Sequence, residues 1–158
     1  MKKISCLLLI CLFMMATGIQ AAYESDIPVE FELQQLHGGK TRLSEFRQKW
    51  VVINYWATWC APCRKEIPDL SELHLAREDI VVLGLAFEDT DIESFDEFLE
   101  EFDVSYPLLL VDVYAPPEPF GAPRVLPTTI IINPEGYPKK TFLVPVTRES
   151  IESFIDLQ

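Results

Sequence analysis

Cys60-Ala61-Pro62-Cys63 is the part of this 158-residue chain whose residue types and spacing bear most directly on chemistry. Cysteines three apart on a helix have Cβ atoms roughly 5–6 Å apart, so a disulfide can close and reopen with little backbone movement. At the first turn of a helix, Cys60 would meet unpaired backbone N–H groups and the positive end of the helix dipole, which favour a thiolate. Cys60 is therefore the candidate attacking sulfur. Cys63, one turn deeper, is the candidate that resolves the resulting mixed disulfide. Pro62 suits the first turn, where a missing N–H costs nothing. Two other readings compete. A zinc half-site needs two further ligands, and only His37 and His74 are on offer, without paired spacing. A static disulfide closing so short a loop would constrain the unfolded chain little.

The pair has to be held by the elements around it. Trp50 to Trp56 is a continuous apolar run, rich in β-branched and aromatic residues, as in central strands covered on both faces. Cys60 to about Asp79 reads as a helix, and Ile80 to Phe87 as a second buried strand. A helix from Asp91 to Phe102 follows, with Ile92, Phe95, Phe98, Leu99 and Phe102 on one face. This order gives a β-α-β unit with parallel strands. Upstream, Val29 to Leu36 alternates as a half-buried strand does, and His37-Gly38-Gly39-Lys40 turns it back onto Thr41 to Leu43. Downstream, Pro107 to Val111 is a short strand. Residues 114–123 form a loop, because prolines at 116, 117, 119 and 123 forbid a regular helix. Thr128 to Ile132 and Thr141 to Val144 flank the turn Asn133-Pro134-Glu135-Gly136 and predict a hairpin. Thr147 then caps a last helix with Ile151, Phe154 and Ile155 inward.

The ends of the chain and its charge narrow the setting. Met1-Lys2-Lys3, an uncharged stretch from Ile4 to Ala16 and small residues from Gly18 to Ala22 read as an export signal over residues 1–22. An uncleaved membrane anchor is the alternative, since the uncharged run approaches the ~20 residues that span a bilayer. Cleavage would remove Cys6 and Cys11, leaving only Cys60 and Cys63. The roughly 136 residues that remain can bury a core without cross-links, so the pair is not a structural framework. Lys+Arg number 13 against 25 Asp+Glu, a net charge of −12, and that field repels nucleic acid.

The segment from Val51 to Pro68 (VVINYWATWCAPCRKEIP) resembles the active-site region of thioredoxin-fold proteins, above all the exported TlpA/ResA/CcmG (DsbE)-like branch. The resemblance runs from about Phe31 to the C-terminus. Its most specific parts are Trp-Cys-x-x-Cys, the following Glu-x-Pro, and Leu126-Pro127-Thr128-Thr129. It implies an α/β fold over residues 23–158: a central mixed sheet flanked by helices, here with an N-terminal β-hairpin extension. It also marks Pro127 as a cis-proline facing the disulfide, with Leu126 and Thr128 beside it as substrate-binding positions. The alternative for Pro127 is an ordinary trans proline opening a strand. Trp59, next to Cys60, is expected at the exposed rim as a platform for substrate, and Trp56 in the core.

Glu66 lies three beyond Cys63, one turn along the same helical face. There a partly buried carboxyl of raised pKa could exchange a proton with the Cys63 thiol. Similar proteins of the branch carry a functional Glu at the matching place, whereas cytoplasmic thioredoxins have an Asp where this chain has Asn54. The competing reading is a solvated helix residue. Arg64 and Lys65 either support the Cys60 thiolate or form a solvated face.

By resemblance, the expected function is an exported, periplasmic thiol–disulfide oxidoreductase, monomeric and possessing no cofactor or metal beyond its own disulfide. It would donate electrons to disulfide-containing exported proteins, apocytochrome c being one candidate, and be re-reduced by a membrane donor of the DsbD/CcdA type. Retention of the signal would tether it to the inner membrane. The rival expectations are a dithiol oxidant, a redox-silent binding or chaperone module, and a peroxide reductase, which lacks a separate peroxidatic cysteine. The proline-rich segment departs from the branch, where a short helix precedes the cis-proline, and so bears on substrate specificity.

Overall fold

The structure, a computed structural model, describes residues 27–158; the expected signal segment lies outside them. A hairpin of β1 (Glu32–Gln35) and β2 (Lys40–Arg42) opens the fold. Its turn uses Gly38 and Gly39 at φ 91° and 82°, a region that residues with a Cβ rarely adopt. A short 3-10 helix, Leu43–Phe46, leads to β3 (Trp50–Trp56). Then come α1 (Ala61–Ala76), β4 (Ile80–Ala86), α2 (Ile92–Glu101), β5 (Leu108–Leu110), β6 (Thr128–Ile132), β7 (Pro138–Phe142) and α3 (Arg148–Ile155). The seven strands form one mixed sheet ordered β2-β1-β5-β4-β3-β6-β7. β3 and β4 pair in parallel, as do β4 and β5, while β6 runs antiparallel to β3. The mixed sheet with its hairpin extension is thus as the resemblance implied, with three helices flanking the sheet.

Strand alternation divides the core in two. Val52 and Trp56 of β3, with Val82 and Ala86 of β4, join a cluster that takes Ile67 and Leu70 from α1, Phe95 and Phe98 from α2, and Ile151 and Ile155 from α3. Val51, Ile53 and Tyr55, with Val81, Leu83 and Leu85, point into a second cluster. No helix contributes an α-helical side chain there among the described residues; Phe31, Leu43, Phe46 and Phe120 cover it instead. Phe120 meets Phe31 edge-on at 6.2 Å between ring centroids, and the Tyr55 hydroxyl lies 3.5 Å from the Gly121 carbonyl. These contacts fold the proline-rich segment back against the sheet.

Several boundaries differ from the sequence reading, among them β1, expected over Val29 to Leu36 and observed as Glu32–Gln35. The helix expected to reach Asp79 stops at Ala76, because Arg77 turns extended (φ −121°, ψ 105°) to feed β4. The last strand is Pro138–Phe142, not Thr141–Val144. Its residues are mostly exposed on an edge strand, so apolar alternation does not mark them. Asn133 accepts the Gly136 N–H at 2.8 Å and its side chain the Tyr137 N–H at 2.7 Å, so the turn closes early enough for pairing to begin at Pro138. Pro138 is the first residue of that strand, where its missing N–H is tolerated.

Candidate active site

Parallel pairing brings the carboxyl ends of β3 and β4 together, with Trp56 opposite Ala86. Past β3 the chain makes a tight turn in which the Cys60 N–H donates to the Ala57 carbonyl at 3.1 Å. Cys60 is the N-cap of α1, and its sulfur accepts the Cys63 N–H at 3.3 Å. The two cysteines form a disulfide with Cα atoms 5.3 Å apart. On reduction, the amide already aimed at the Cys60 sulfur would favour its thiolate, together with the positive end of the helix dipole. Cys60 is 4% exposed and Cys63 1%, so both sit beneath a rim on which Trp59 stands 69% exposed.

Glu66 is also buried, at 1% exposure, which excludes the solvated-helix reading. Its Oε1 accepts the Val146 N–H at 2.5 Å, and its Oε2 accepts from Asn54 Nδ2 at 3.3 Å. Asn54 Nδ2 also donates to Thr129 Oγ1 at 3.0 Å. Loss of hydration pushes the Glu66 carboxyl up to about 7, and Asp69 adds to the rise, while the Val146 and Asn54 donors act against it. A carboxyl poised near neutrality, one turn from Cys63, can give or take a proton at physiological pH.

The β3–β6 register, Tyr55 opposite Thr128, sets Leu126 and Pro127 beside the carboxyl end of β3. The Leu126–Pro127 peptide bond is cis. Pro127 is buried and Leu126 half-buried, packed against both clusters. Thr128 is turned inward, its hydroxyl donating to the Val125 carbonyl at 2.6 Å, so its side chain fixes the turn rather than projecting to the surface. Trp56 is in the core, 3% exposed.

Several expected helpers are engaged elsewhere. Arg64 pairs with Glu101 at 2.8 Å and lies 4.8 Å over the Phe102 ring. His74 Nδ1 accepts the Val82 N–H at 3.2 Å, and His37 faces Asp96 at 3.6 Å. Among the described residues, no group of three His, Cys, Asp or Glu is arranged to hold a metal ion, and no helix is long and apolar enough to cross a membrane.

Sequence reasoning missed two groups. Val146 lies eighty positions from Glu66, and no local pattern announces that contact. Glu88 follows β4 and accepts from the Thr58 N–H at 2.7 Å and the Thr58 hydroxyl at 3.0 Å. A carboxylate just after a buried parallel strand was the signal available for it.

A family model described as the AhpC/TSA family matches residues 25–137. The chain belongs to the AhpC/TSA family. Within it, the thiol-disulfide oxidoreductase ResA of Geobacillus kaustophilus is 30% identical over 131 residues, covering 80% of this chain and 73% of ResA. The crystal structure of a DsbF homologue from Corynebacterium diphtheriae superposes with a TM-score of 0.70 at 31% identity, covering 83% of this chain and 85% of that one. A secreted thiol-disulfide isomerase from Corynebacterium glutamicum gives a TM-score of 0.69 at 28% identity, covering 80% and 81%. This AhpC/TSA-family chain is a thiol–disulfide oxidoreductase of the ResA type, with the Cys60–Cys63 pair as its disulfide.

Proposed function

We propose that the chain is an exported, periplasmic protein-disulfide reductase that works through Cys60. The observation that carries this reading is the disulfide at the head of α1 with a buried carboxyl of raised pKa one turn below it. The Cys60 thiolate attacks a client disulfide, forming a Cys60–client mixed disulfide and releasing one client thiolate. Glu66 accepts the proton of the Cys63 thiol. The Cys63 thiolate then attacks Cys60, closing the internal disulfide and releasing the second client thiolate. Two electrons pass from this chain to the client, and a membrane dithiol donor of the DsbD/CcdA type restores them. Trp59 supplies an apolar platform, Leu126 offers backbone beside Pro127 for an extended client strand, and Thr128 holds that turn.

The reducing direction is supported by the absence of a histidine between the cysteines, since a strong oxidant needs its reduced thiolate stabilised. Clients are disulfide-containing exported proteins, with apocytochrome c one candidate. Residues 1–22 serve as the export signal or, uncleaved, as an inner-membrane tether.

Insulin reduction tests the reading directly. The wild-type protein is expected to reduce insulin with dithiol as electron source, and Cys60→Ser to fall to the uncatalysed rate. Equal rates in the two would leave a redox-silent binding module. A reduction potential near that of DsbA would overturn the direction.

A further inference from the structure

The loops after β3 and β4 are stitched together at the active-site end of the sheet. The Phe87 N–H donates to the Trp56 carbonyl at 2.9 Å. One residue further on, Glu88 grips Thr58 with both carboxylate oxygens, one on the backbone N–H at 2.7 Å and one on the hydroxyl at 3.0 Å. Thr58 belongs to the same turn that the Cys60 N–H closes on Ala57. Among the described residues no cation pairs with Glu88: Arg64 is held by Glu101, and no Lys or Arg occurs between residues 52 and 63 or between 78 and 123. Glu88 therefore puts an uncompensated negative charge on the turn that presents the attacking sulfur.

We propose that Glu88 is a positioning residue that fixes the Ala57–Cys60 turn and, through its charge, biases the Cys60–Cys63 couple toward the disulfide. This inference rests on the reading of Cys60 as the attacking sulfur. The couple exchanges one disulfide, two electrons and two protons for two thiols. When Cys60 ionises in the reduced form, it meets repulsion from Glu88 that the neutral disulfide does not feel. The reduced form is thereby disfavoured and the protein becomes a better electron donor. The remaining nearby charges do not cancel this effect. Glu66 is buried against Asn54 and Val146, and any charge it carries has the same sign. Lys65 faces solvent on α1.

The test is the equilibrium of the folded, full-length protein with a glutathione redox buffer at pH 7. Glu88→Gln keeps the side-chain length and removes the charge. Thr58→Val removes one of the two hydrogen bonds and keeps the charge. Glu88→Gln is expected to shift the equilibrium toward the dithiol by about threefold to tenfold, the upper figure being about 30 mV. Thr58→Val is expected to stay at the wild-type value while slowing exchange. An unchanged equilibrium in Glu88→Gln, or an equal shift in Thr58→Val, overturns the proposal. If Glu88→Gln fails to fold by thermal melting, Glu88→Ser takes its place as the neutral variant. If the wild-type protein itself fails to exchange with glutathione, the oxidoreductase reading has failed rather than this one.

Discussion

The Glu66 carboxylate accepts the Val146 amide proton at 2.5 Å, a bond between the second turn of α1 and the residue before the N-cap of α3. It ties the group proposed to handle the Cys63 proton to the C-terminal end of the chain. With Asn54 and Thr129, it gives the buried carboxyl an anchor on three separate elements.

The pH profile of client reduction follows from this arrangement. With Glu66 pushed up to about 7, the rate of resolution should rise as pH passes through that value and Glu66 becomes able to accept a proton. Glu66→Gln is expected to lose that step and to slow reduction on the order of 10²-fold at pH 7. Stopped-flow measurement of both proteins between pH 5 and 9 checks it, and superimposable profiles would remove Glu66 from the reaction.

Stability should carry the opposite pH trend. The Glu66 carboxyl holds its proton in the folded protein up to about 7, whereas in the unfolded chain it ionises near 4.5. Between those values the folded state binds more protons, so stability falls as pH rises through this window and levels off above it. The span is on the order of 3 kcal/mol for one group. Urea unfolding of the oxidised protein should show this decline in the wild type and a flatter curve in Glu66→Gln.

Asn54→Ala removes a donor that favours the ionised carboxylate. The inflection in the reduction profile should move to higher pH than in the wild type. Stability should drop by about 1–3 kcal/mol because Thr129 Oγ1 also loses its donor. An inflection that stays in place would show that Asn54 does not tune Glu66.

Cys63→Ser should strand client proteins on Cys60, because nothing then displaces them. Non-reducing electrophoresis of extracts from cells expressing this variant should show higher-mass adducts that thiol reductant dissolves. Cys60→Ser should show none, and adducts in both would misassign the attacking sulfur.

Gly84 sits where β4 passes under Tyr106 and Leu108. A Cβ there would come within 2.7 Å of Leu108 Cδ2, 2.9 Å of Tyr106 Cε2 and 3.2 Å of Trp56 Nε1. Gly84→Ala is expected to cost about 1–3 kcal/mol by overpacking, read as a lower midpoint in urea with the exchange chemistry intact.

Much of this was legible in the residues. β3, β4 and α2 announced themselves through apolar runs and a one-sided stripe, and Cys60, Cys63 and Glu66 through their spacing on one helix. β7 escaped because an exposed edge strand is chosen for solubility, so Lys139 and Lys140 stand where a core-facing strand would carry apolar residues. The Glu66–Val146 and Glu88–Thr58 bonds escaped for a different reason: they join residues far apart in sequence and depend on the sheet register. The inward turn of the Thr128 hydroxyl belongs to the same class, since it depends on how the chain enters β6 after Pro127.

Phe120 and Gly121 reach across to Phe31 and Tyr55, so the proline-bearing segment is at once a wall of the second core and the lead-in to Leu126 and Pro127. Selection on that stretch therefore acts on two properties together. A substitution there that loosens the packing beneath the sheet would also alter how the chain approaches Leu126 and Pro127.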